Sequence, residues 1–126
     1  MVNNALLKAE DEPSLKILRP VCELLDRNQA IRLKDEVVDD LLRGHKNFLA
    51  DMTGVKKANS RGMSILLATI HMIERDGGVS FWGLTEELKL LFSFAGLSNR
   101  QQEAPSLAEA RLLFEAATSN QTRRSL

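Results

Sequence analysis

Short apolar runs alternate with amphipathic helical stripes along this chain, and that alternation constrains its fold more than any other feature. After Asp26, the residues Ala30, Leu33, Val37 and Leu41 recur at helical spacing, with Val38 and Leu42 widening the stripe. Asp26 to Asn28 offers an N-cap, and Gly44 a stop. Asn47 to Ala50 then reads as a buried strand ending at Asp51, with Thr53 and Gly54 turning the chain. A second helix opens at Asn59 or Ser60, carries Met63, Leu66, Leu67, Ile70 and Ile73, and ends at Asp76-Gly77-Gly78. Val79 to Trp82 reads as a strand, with Val79 and Phe81 on one face and Ser80 and Trp82 on the other. Thr85 caps a third helix lined by Leu88, Leu91, Phe92 and Ala95 and closed by Gly96. Ser98 to Ala104 holds a weak strand. Ser106 and Glu109 form a capping box before a last helix lined by Leu107, Ala110, Leu113, Phe114 and Ala117. Upstream, Ala5 to Lys8 and Leu15 to Leu18 flank Glu10-Asp11-Glu12-Pro13 and predict a hairpin.

This order predicts an α/β fold: a mixed sheet of about four to five strands alternating with four helices, mostly parallel, with one antiparallel pairing from the hairpin. A chain of 126 residues with 44% hydrophobic residues fits one domain. Its expected core is residues 5–117, followed by a polar tail over 118–126.

Composition narrows the chemistry. Lys plus Arg and Asp plus Glu are 17 each, which argues against nucleic acid as the main partner while allowing a local basic patch. Cys22 is the only cysteine, so no internal disulfide forms and a reducing cytoplasm is the expected setting. The N-terminus shows no signal-peptide pattern, and the nearly apolar stretch Met63 to Ile73 is too short to enter and cross a bilayer. His45 and His71 lack companion metal ligands, and Glu86 and Glu87 point apart on a helix. With no nucleophile constellation or phosphate loop, an enzyme is not expected, and no cofactor is implied.

Residues 48–67 carry a more specific signal. Asp51-Met52-Thr53-Gly54 follows a hydrophobic strand, and Asn59-Ser60-Arg61-Gly62 opens a helix. Gly77-Gly78, Gly83-Leu84, Phe94-Ala95-Gly96-Leu97 and Ser106-Leu107-Ala108-Glu109-Ala110 follow in order. Over roughly residues 5–117 this set resembles the STAS domain of bacterial anti-sigma-factor antagonists and sulfate-transporter tails. The resemblance implies a phosphorylated serine, here Ser60. It also implies an anti-sigma factor and serine-kinase partner with a histidine-kinase-like ATPase domain, and a PP2C-type phosphatase that resets the switch. ATP and Mg²⁺ would belong to the partner. The unphosphorylated antagonist holds its partner and frees a sigma factor for transcription. Asn59 stands where the family pattern has Asp, which removes a carboxylate beside the acceptor. The same resemblance leaves open a subunit of a lipid-trafficking transport ATPase, or a scaffold subunit of a larger signalling complex.

The residues give Ser60 a logic of their own. A serine opening a helix lies among free backbone N–H groups, which tolerate an added anion. Phosphorylation adds about −1.5 to −2 charges, which a desolvated protein contact does not tolerate. From the local residues alone Ser60 reads first as a simple cap, and the family pattern turns the reading toward a switch. Asp51, Thr53, Asn59, Arg61, Gly62, Met63 and Ser64 are the accompanying partner-binding candidates. Asp51 and Thr53 also read as turn residues, Ser64 as a packing or surface serine, and Met63 as core. Lys56 and Lys57 suit an acidic rim on a partner, or plain solvated surface. Trp82 reads as packing.

Overall fold

The structure, a computed structural model, describes residues 15–125. Its strands are β1 (Leu15–Leu18), β2 (Leu24–Leu25), β3 (Asn47–Asp51), β4 (Lys57–Ala58), β5 (Gly78–Trp82) and β6 (Gln101–Gln102). Its helices are α1 (Arg27–Leu42), α2 (Ser60–Ile73), α3 (Glu86–Phe94) and α4 (Leu107–Ser125), with a single 3₁₀ turn at Ser98–Arg100. A four-stranded sheet runs in the order β1-β3-β5-β6, and β2 and β4 form a separate two-stranded ribbon. All of these described pairings are parallel. The first arm of the expected hairpin, and with it the antiparallel pairing, lies outside the described residues.

The period-two alternation of the strands sorts the core into two layers. Phe48, Ala50, Val79 and Phe81 face one way and pack with Leu33 and Val37 of α1, Leu66 and Ile70 of α2, and Leu88 and Phe92 of α3. Phe81 and Phe92 meet edge to face, with ring centroids 5.0 Å apart at 80°. Leu49 faces the other way, against Ala110 and Phe114 of α4, with Leu15, Ile17 and Trp82 beside them. Trp82 fixes that layer further, since its indole N–H donates to the Ala104 carbonyl at 3.1 Å.

The caps follow the residue chemistry. Asp26 accepts from the Gln29 amide at 2.9 Å and Ser106 from Glu109 at 3.2 Å. Gly44, at φ +99°, follows the end of α1.

Several stripe assignments need correction. Leu42 is exposed, because α1 presents Asp40 inward instead. Asp40 is tolerated there by Arg43 at 3.5 Å and Lys16 at 4.0 Å. Ala95 and Leu113 also face solvent, while Thr69 is buried and returns its hydroxyl to the Ile65 carbonyl at 2.8 Å. The last helix does not give way to a tail at residue 118 but runs on to Ser125.

Candidate functional site

The N-terminus of α2 is positioned by the β2–β4 ribbon. Leu24 pairs with Lys57 and Leu25 with Ala58, and the Lys56 and Lys57 amides both donate to the Glu23 carbonyl, at 2.9 and 3.1 Å. The Asn59 amide then donates to the Leu25 carbonyl at 3.3 Å. Three residues later the chain returns against the same carbonyl. A Cβ at Gly62 would lie 2.0 Å from the Leu25 oxygen and 2.8 Å from its carbon, so only glycine permits this approach.

Asn59 is the N-cap. Its side-chain oxygen accepts from the Gly62 amide at 2.9 Å, with an extended backbone at φ −102°. Ser60 is therefore not the cap. It occupies the first helical position, is exposed, and has no protein hydrogen-bond partner for its hydroxyl among the described residues. Arg61 and Ser64 are exposed beside it, Ser64 one helical turn further on. Met63 is half-buried against the core. Gly62 is buried, with its backbone packed against Leu25 and Asp26.

Asp51 ends β3 and is absorbed by its own turn. One carboxylate oxygen accepts from the Thr53 amide at 3.1 Å and the Thr53 hydroxyl at 2.7 Å. The other lies 3.6 Å from the Arg19 guanidinium. Asp51 makes no hydrogen bond to Ser60. Thr53 is exposed, but its hydroxyl is committed to Asp51, so modification there would dismantle the turn. Of the hydroxyls near this end of the sheet, those of Ser60 and Ser64 are exposed and make no hydrogen bond among the described residues, whereas that of Thr53 is committed.

Two features had no counterpart in the sequence reasoning. The Thr85 hydroxyl donates to the Lys56 carbonyl at 2.9 Å while accepting from Leu88, tying the start of α3 to the loop before Ser60. A surface hollow of about 370 Å³ lies between Arg19–Glu23 and Asp51–Gly54, with Val21 standing 92% exposed at its edge. Both depend on contacts between distant segments; an apolar residue after Pro20 was the one local sign of the second. Cys22 borders this hollow, and burial, reinforced by the nearby Asp26 carboxylate, pushes its thiol pKa up, which keeps it protonated.

Among the described residues no group of three or more His, Cys, Asp and Glu is placed to hold a metal ion. No helix among them is long and apolar enough to cross a membrane.

Solved structures share this architecture. The anti-sigma factor antagonist SpoIIAA in its unphosphorylated form superposes with a TM-score of 0.66 at 16% identity, over 76% of this chain and 84% of that one. The phosphorylated form, a Bacillus cell fate determinant, gives 0.63 at 16% identity over 77% and 87%. The chain has the STAS-domain fold. A sulfate transporter family protein from Wolinella succinogenes carries the same fold, with a TM-score of 0.65 at 23% identity over 81% of this chain and 88% of that one. No family model and no curated protein sequence matches the chain. Within this STAS architecture, Ser60 opens the helix that follows the second strand of the main sheet in chain order.

Proposed function

We propose that this STAS domain is a cytoplasmic, phosphorylation-switched regulator of the anti-sigma-factor-antagonist kind. Its unmodified form binds an anti-sigma factor that is also a serine kinase with a histidine-kinase-like ATPase domain, and so releases a sigma factor. Phosphorylation at Ser60 weakens that complex, and a PP2C-type phosphatase restores it. The whole described unit acts as one domain.

The observation that carries the proposal is the division of labour at the start of α2. Asn59 takes the capping duty, so the exposed Ser60 hydroxyl is free for chemistry without loss of the helix end. The fold supports the reading too, since one of its structural neighbours is an antagonist solved both unphosphorylated and phosphorylated.

The switch needs no rearrangement. A dianion at Ser60 meets the positive end of α2 and leaves the fold intact. In a docked complex the same group adds steric bulk and charge inside a desolvated contact. A loss of about 2.7 kcal/mol lowers affinity about a hundredfold. Thr53, Arg61, Met63 and Ser64 form the surrounding contact surface, with Asp51, Asn59 and Gly62 holding its shape.

The sulfate-transporter likeness favours a second reading, a STAS component of a membrane transport system, of which a subunit of a transport ATPase is one form. Incubation with the source cell's kinase-like ATPase and labelled ATP separates the two. The regulator reading expects phosphate on Ser60 and its loss in Ser60→Ala. Undiminished labelling of Ser60→Ala moves the acceptor elsewhere, and no labelling alongside co-purification with a transporter favours the second reading.

A further inference from the structure

Deepening the proposed function, whose docking face it takes as given, we infer that the partner surface meeting Ser60 is acidic and is selected by a cation cluster of Arg27, Lys57 and Arg61. The Leu25 carbonyl accepts from Asn59, and the Gly62 backbone packs against Leu25 and Asp26, so the first turns of α1 and α2 lie side by side. Neither first turn contains an acidic residue. Arg27 and Arg61 stand there instead, at helix ends that already carry partial positive charge and favour Asp or Glu. Lys57, on the ribbon joining the two, adds a third cation.

All three are exposed, and none makes an ion pair among the described residues. Of the neighbouring acids, Glu87 at the start of α3 is exposed without an ion pair among the described residues, Glu86 pairs with Lys89 at 3.5 Å, and the others are committed elsewhere. Asp26 caps α1, Asp51 holds Thr53 and Arg19, and Glu23 lies 3.6 Å from Lys56. Asn59 supplies a neutral cap where a carboxylate would have lowered the local charge. At this end of the sheet Arg27, Lys57 and Arg61 are thus left without an ion pair among the described residues, Arg27 donating only to the Asn28 side-chain oxygen at 3.5 Å, with the capping Asp26 and the exposed Glu87 nearby. Such a breach of helix-end chemistry belongs to sites that meet a ligand.

A protein fits this face better than a nucleic-acid backbone. The exposed Val21 and the adjoining hollow add apolar contact area next to the cations, the mixture typical of protein interfaces. The cluster also explains how one phosphate can suffice. About −1.5 to −2 charges at Ser60 cancel much of the positive field from its centre, so acidic groups on the partner lose what attracted them.

The test is an amide-resolved NMR titration of the full chain with polyglutamate, and separately with duplex DNA, at low and moderate salt. Salt-sensitive polyglutamate shifts concentrated in residues 26–29 and 56–64 are expected. Arg27→Glu with Lys57→Glu should weaken binding at least tenfold with spectral dispersion intact. Lys46→Glu, an equal change of sign per residue at the opposite end of β3, should leave it unchanged. Shifts spread evenly or centred on Lys46, or tighter binding of DNA at this face, would overturn the inference. This readout is independent of Ser60 labelling, so acidic docking and the phosphoswitch can fail separately.

Discussion

Replacing Gly62 by alanine tests the geometry on which the site stands. The added methyl would sit 2.0 Å from the Leu25 oxygen, more than an ångström inside normal contact, and the obstacle is backbone. Either α2 withdraws from β2 or the ribbon bends, and the Asn59 bond to Leu25 is lost in both cases. Overpacking of this kind costs about 3 kcal/mol, toward the upper end of its usual range. Alanine's helix preference returns up to about 1 kcal/mol. The net loss of about 2 kcal/mol corresponds to a melting temperature about 8 °C lower for a domain of this size. Thermal unfolding followed by circular dichroism measures it, and labelling of Ser60 should fall in parallel as the helix end moves. A variant that melts within 2 °C of the parent would refute the claim that Gly62 is fixed by close approach.

Asn59→Ala removes the cap and should cost about 1 kcal/mol in urea unfolding, whereas Asn59→Asp should equal or exceed the parent at low salt; equal stability of all three would deny the capping role. Arg100 donates to both Glu74 oxygens, at 2.9 and 2.7 Å, and Arg100→Met should cost about 1–2 kcal/mol. The hydrogen bond to Glu74 raises the Arg100 pKa. Its contribution is present below the unfolded pKa and is lost only as pH climbs through the still higher folded one, so the variant's deficit should be flat between pH 6 and 10. Cys22, with its thiol held protonated by burial, should react more slowly with a disulfide reagent at pH 8 than the same cysteine in the urea-unfolded chain.

Much of this architecture was legible in the residues because it rests on local rules. The Asp26 and Thr85 caps, the glycine after α1 and the alternation of Val79 and Phe81 each follow from a few neighbouring positions. The ribbon was not legible, since two-residue strands such as Leu24–Leu25 carry no period. Asp40 was missed for a related reason. Its burial depends on Lys16 and Arg43 converging from a strand and a helix end, which no stripe of apolar residues announces. At the site, the motif located Ser60 and Gly62, but both Asn59 and Ser60 are competent caps by type. Only the hydrogen bond to the Gly62 amide distinguishes them. The crowding of two basic helix ends was hidden for the same reason as the ribbon that creates it.

Negative charge at Ser60 governing who docks at the start of α2 is the claim to which the rest is subordinate. Calorimetric titration of the purified kinase-like partner with unmodified and fully Ser60-phosphorylated chain measures it most directly. The account predicts affinity about a hundredfold weaker for the phosphorylated form, with both forms equally folded. Equal affinities for the two forms would contradict it.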